Sequence, residues 1–191
     1  MFTLLAYTCL VLFSSFTTIS IQTYIDNKYS IEMRNKNIVL HDIRNLFPFI
    51  YNIPLKLFLD ITSGSLPFYT LAVVPYDDKI ILMVSWSILI LLRTVCFSIT
   101  ILPPPAHIHH PFRFTGGSCD AIFSGHTMMV VLNCMILMKS HNPIILWSYS
   151  VIYSILVLIT RSHYSVDIFL AYIITISIYI NIEYNKYLFI N

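Results

Sequence analysis

The stretch CDAIFSGHTMMVVLNCMILM, Cys119 to Met138, changes character at its middle. Its first part carries Asp120, Ser124, Gly125 and His126, and from Met128 onward it is almost wholly apolar. Polar groups are costly in hydrocarbon, yet a histidine stands at the mouth of an apolar run. A second fragment, RSHYSVDIFLAY (Arg161 to Tyr172), repeats the arrangement with His163 and Asp167.

Composition says what the apolar runs are for. Of 191 residues 57% are hydrophobic and 10% are charged, with mean hydropathy +0.76. A soluble domain carries about a quarter charged residues. Too little polar surface exists here to cover a water-soluble globule, so the chain is expected to be an integral membrane protein. The formal net charge of +2 comes with no basic stripe, which argues against a nucleic-acid partner. Cys9, Cys96, Cys119 and Cys134 form no CxxC pair, so a zinc ribbon or a redox motif is not expected.

Six apolar segments approach the ~20 residues of a spanning helix. They cover roughly 2–25, 53–74, 80–102, 122–138, 144–160 and 165–182. PYDDK, KSHNP and the proline-rich PPPAHIHHPFRFTGGS interrupt them as turns and loops. The first segment lacks a basic leader and is long for a signal peptide, so it reads as a span. The expectation is an all-α, polytopic single domain over 1–191 with six transmembrane helices.

An even number of spans puts both termini on one side. The loops after spans one, three and five then share the other face, which receives LHDIRN, HIHHPFRFTGGSCD and TRSH. The two histidine fragments therefore open on one membrane face. Lys28, Arg34, Lys36, Arg44, Arg113 and Arg161 fall on that face, against Lys79, Lys139 and Lys186 on the other. Taken alone, this bias puts the histidine face in the cytosol.

His163 and Asp167 are four residues apart, one helical turn. A carboxylate so placed can fix the tautomer of an imidazole and strengthen its other nitrogen as a nucleophile; the plainer reading is a polar interhelical contact. In SGHT, Ser124 is a natural N-cap and Gly125 frees the backbone at a helix start. Helix N-termini attract phosphate, and His126 stands where it could protonate a leaving oxygen; the plainer reading is capping beside an incidental histidine. Two histidines, an orienting carboxylate and an anion cradle on one face are what phosphoryl transfer through a phosphohistidine needs, with no metal or other cofactor required. Arg93, inside the third span, has two readings: a bidentate phosphate ligand or an ion pair with Asp60. His107, His109 and His110 lack helical spacing and a nearby carboxylate, so no metal site is expected there.

CDAIFSGHT and HYSVDIFLAY resemble the two signature motifs of the sphingomyelin synthase family, close to CGDxxxSGHT and HYTxDxxxAY. RTVCFSITILPPP is similar to that family's third span, and LHDIRN resembles its first-loop motif more weakly, with His41 in place of a proline. The glycine of CGD is absent, Asp120 following Cys119 directly. The resemblance implies a bundle related to type 2 phosphatidic acid phosphatases. It also implies transfer of a phospho-headgroup, phosphocholine favoured, from a glycerophospholipid to ceramide. It makes His126, His163 and Asp167 catalytic, with Asp120, Ser124 and Arg93 as substrate-binding residues. The active site would face the lumen or cell exterior, in Golgi or plasma membrane or in the ER, against the basic-residue bias. Two other functions stay open: a lipid phosphate hydrolase, and a non-catalytic lipid-binding scaffold. The hydrolases carry PSGH and an Arg six residues before the second histidine; here Phe123 and Val157 occupy those positions.

Overall fold

The computed structural model describes residues 2–35, 42, 53–100, 123–160 and 162–190. Every regular element among them is a helix: α1 (Phe2–Asn35), α2 (Ile53–Val73), α3 (Tyr76–Ile99), α4 (Gly125–Leu137), α5 (Pro143–Ile159), α6 (Ser165–Tyr184) and the short α7 (Tyr187–Ile190). The all-α membrane bundle expected from composition is the fold observed. Three stretches are long and apolar enough to cross a membrane, Leu4–Ile25, Tyr76–Ile99 and Ser165–Tyr184, while α4 and α5 are shorter apolar helices.

Local chemistry sets the helix ends. Pro75 stands at the N-cap of α3, and Asp77 and Asp78 in its first turn complement the helix dipole. Asn142 caps α5 by accepting from the Ile144 amide at 2.9 Å, with Pro143 at the first helical position. The first helix runs ten residues beyond the apolar segment expected, from Ile25 to Asn35. No proline or glycine falls in DNKYSIEMRN to stop it, and Lys28 lies over the Tyr24 ring one turn back.

α3 and α4 form the centre. Ile80, Leu82, Leu89 and Phe97 of α3 are fully buried, as are Val130 and Leu132 of α4. α4 packs against α2, α3, α5 and α6, and α1 lies along α3. The face that α1 turns inward is mostly polar: Ser14, Thr18 and Gln22 are buried at four-residue spacing. Thr18 and Thr94 meet through their hydroxyls, fixing α1 to α3.

With 13 residues, α4 is about 20 Å long, short of the ~30 Å hydrocarbon core. Its C-terminal end is held on the face away from the histidines. There Lys139 bonds Asp78 of α3 at 2.5 Å and Glu183 of α6 at 2.7 Å. The N-terminus of α4, with the histidine, is therefore recessed into the bundle. Non-helical backbone at such depth is tolerated only where protein buries it. Phe123, Ser124, His163 and Tyr164, which lead into α4 and α6, are all buried.

Burial pulls the Lys139 pKa down, but its bonds to Asp78 and Glu183 outweigh that and raise it above the ordinary lysine value. A raised lysine contributes stability that is fully present below its unfolded pKa and lost as pH climbs through the folded one. The Lys139 contribution to the melting temperature in detergent should therefore be flat through neutral pH and vanish only in strong alkali. Lys139→Met should lower the midpoint at neutral pH, and Lys139→Arg should retain most of it.

Candidate active site

The α4 N-terminus is built by SGHT. Ser124 is the N-cap, its Oγ accepting from the Thr127 amide at 3.2 Å. The residue before it, Phe123, has φ 27°, a left-handed conformation rare for a side-chain-bearing residue. Such a backbone costs about 1–2 kcal/mol. The Phe123 side chain offsets it by full burial in the core with Ile81 and Met128. The twist turns the Phe123 carbonyl toward α3, where the Arg93 Nε donates to it at 3.2 Å.

The α6 N-terminus is built by HYSVD. Asp167 reaches back one turn, its Oδ2 accepting from the Tyr164 amide at 2.9 Å. This is half of a capping box. The same Oδ2 stands 3.8 Å from His163 Nδ1, beyond hydrogen-bond length but in electrostatic contact. Both side chains are buried. Asp42, from the stretch between α1 and α2, also serves this end: its Oδ2 accepts from the Ser165 amide at 2.9 Å and from the Ser165 hydroxyl at 3.0 Å.

The two helix starts are joined directly. The Ser124 amide donates to the Asp167 carbonyl at 3.1 Å. This junction brings the His126 and His163 rings edge to face, with centroids 5.8 Å apart. Arg93 is buried beside them, its guanidinium carbon 5.5 Å from the Phe97 ring centre. Gly125 is what lets it come so near: a Cβ there would lie 3.2 Å from Arg93 Nε.

His126 has its own carboxylate. Its Nε2 lies 2.8 Å from Asp60 Oδ1 of α2, both side chains largely buried. Tyr153 of α5 ties the same turn of α2 in place by donating to the Leu59 carbonyl at 2.9 Å. Beside this pair a cavity of about 310 Å³ opens among α1, α2, α3 and α4, with Asp60, Arg93 and His126 at one end.

The structure thus gathers His126, His163, Asp167, Ser124 and Arg93 into one place. Asp120 lies outside the described residues, as do Arg161 and the His107, His109 and His110 cluster. Among the described residues Arg93 contacts Phe123 and Phe97, and Asp60 meets His126. Asp60 and Asp42 are site-forming residues that the sequence reading did not place in the site. The available signal for Asp60 was a carboxylate inside an apolar segment; for Asp42 it was the degraded LHDIRN motif.

A family model described as PAP2 superfamily C-terminal matches residues 118–185. The matched segment contains α4, α5 and α6 and both histidines. The match is to this wider superfamily of phosphoryl-transfer and hydrolytic enzymes, and does not single out sphingomyelin synthases. No curated protein matches the chain.

Ser124→Ala removes the side-chain cap from the buried start of α4. It should destabilise the folded protein by about 1–2 kcal/mol, read as a lower midpoint of thermal unfolding in detergent. Ser124→Asp should recover part of the loss.

Proposed function

We propose that the protein transfers a phospho-headgroup, phosphocholine first among the candidates, from a glycerophospholipid to ceramide through a phosphohistidine on His163. The observation that carries this reading is the meeting of His126 and His163, each with its own carboxylate, beside the buried Arg93. Phosphoryl transfer asks the protein mainly for positioning and charge stabilisation, and these groups supply both.

Asp167 stands at His163 Nδ1, so Nε2 is the nitrogen that attacks phosphorus. Arg93 and the amides at the start of α4 draw in the phosphate charge. Ser124 and, by resemblance, Asp120 complete the substrate-binding set. As the bond between Nε2 and phosphorus forms, the bond to the diacylglycerol oxygen breaks, and His126 gives that oxygen its proton. Asp60 accepts from His126 Nε2, which leaves Nδ1 as the nitrogen that gives and takes the proton. In the second half the ceramide hydroxyl gives its proton to His126 and attacks the phosphorus. The phosphorus–nitrogen bond breaks, and the phosphosphingolipid leaves. Asp60 and Asp167 act through the imidazoles as positioning residues.

We read the bundle as six-spanning, with the histidine face lumenal or extracellular in Golgi, plasma membrane or ER. The second reading is lipid phosphate hydrolysis, which the superfamily match fits equally. Against it stands position 123. The PSGH form of the hydrolases would place proline there, and a proline ring holds φ near −65°, whereas Phe123 adopts φ 27°.

A chase in vesicles separates the two. Labelled phosphatidylcholine with ceramide should yield labelled phosphosphingolipid and unlabelled diacylglycerol. Release of free phosphocholine regardless of ceramide would assign hydrolysis. His163→Ala should abolish transfer with folding intact. His126→Ala should slow it by about 10²–10⁴-fold, the usual weight of a general acid–base group, and Asp60→Asn should slow it by less.

A further inference from the structure

The cavity beside the site has a direction. At one end stand Asp60, Arg93 and His126, and at the other Trp86 and Phe68. Trp86 is seven residues from Arg93 along α3, and Phe68 eight from Asp60 along α2. At 1.5 Å per residue both lie about 10–12 Å deeper toward the bundle centre. Ile19 of α1 and Phe68 of α2 line the cavity and are 42% and 69% exposed. Its mouth therefore opens on the side of the bundle, between α1 and α2.

The cavity also has a side. His126 lines it, and His163 is not among its lining residues. In an in-line displacement the leaving oxygen departs on the side of phosphorus opposite the nucleophile. A cavity on the His126 side is where the departing, and later the accepting, lipid oxygen must sit. At about 310 Å³ it lies at the small end of ligand sites, ~300–1,000 Å³, with room for one hydrocarbon chain rather than two.

One wall is open to substitution. Gly64 lines the cavity, and a Cβ placed on it would meet nothing within 4 Å. A side chain there would start in open space and take up volume that a ligand needs. At the inner end the Trp86 indole N–H is buried with no hydrogen-bond partner among the described residues.

We propose that this cavity is the subsite for the lipid alcohol, with one chain entering between α1 and α2 and lying along Gly64 to Trp86 while the oxygen stands at His126. This rests on the transfer reading above, and makes Gly64 a determinant of which lipid alcohols are accepted. Diacylglycerol and ceramide occupy it in turn.

Trp86 supplies the readout. The chain has two tryptophans, and the other, Trp147, stacks on Tyr172 away from the cavity. Trp147→Phe leaves Trp86 as the sole fluorophore, and His163→Ala stops turnover. In phosphatidylcholine vesicles containing ceramide brominated on its N-acyl chain, Trp86 quenching should saturate. Unlabelled ceramide or diacylglycerol should reverse it. Gly64→Phe should remove the saturable quenching. In the otherwise native enzyme it should raise the apparent ceramide KM by at least about tenfold, on the scale of lost fit in an apolar pocket. Gly64→Ala should fall between. If Gly64→Phe does not fold, as judged by helix content and melting, Ile19→Trp narrows the same mouth from α1, read by the ceramide KM.

Quenching that rises linearly and is not competed, or that persists in Gly64→Phe with KM unchanged, overturns the subsite. Failure of the transfer reading looks different. The native enzyme would move no headgroup to ceramide while saturable quenching still vanished in Gly64→Phe.

Discussion

The hydrogen bond from the Ser124 amide to the Asp167 carbonyl is the constraint on which the site depends. It joins two helix starts that lie far apart in sequence, at a depth where backbone groups cannot turn to water. Each start is closed by its own side chain, Ser124 on α4 and Asp167 on α6. Because both caps and the bond between them are buried, neither helix can rotate or slide without stranding polar groups. His126 and His163 are held together by backbone geometry, and their side chains need only complete the approach.

The remaining parts act as braces around that junction. Arg93 anchors the strained Phe123 carbonyl, which sets the entry angle of α4. Asp42 closes the first turn of α6 from outside. At the far end of the bundle Lys139 draws α3, α4 and α6 together through Asp78 and Glu183. The shortness of α4, held at that end, sinks its histidine into the bundle. The same recession places His126 at the head of the cavity lined by α1, α2, α3 and α4.

Much of this was legible in the sequence, for definite reasons. Apolar composition and hydropathy specify an all-helical membrane bundle because lipid admits only helices and closed barrels, and apolar runs of ~20 residues have the length of a spanning helix. Span parity puts SGHT and HYSVD on one face before any contact is known. The capping signal in SGHT is local, so Ser124 can be read directly. Tertiary pairings are not local. A lone aspartate in an apolar segment announces a partner without naming it, and Asp60 could have met Arg93 as readily as His126. The Asp167 carboxylate, four residues from His163, invites an intrahelical hydrogen bond. The capping demand of the Tyr164 amide competes for the same oxygen, leaving 3.8 Å to the imidazole. Ile25, the expected end of the first apolar segment, is also where the candidate span ends, and α1 continues to Asn35 because charged residues end a span without ending a helix.

The most direct test of the account is the chemical state of His163 during turnover. Protein supplied with headgroup-labelled phosphatidylcholine, without ceramide, should carry acid-labile, base-stable label on the peptide containing His163, and added ceramide should discharge it. Headgroup transfer that proceeds with no label on His163, or with unchanged rate in His163→Ala, would contradict it.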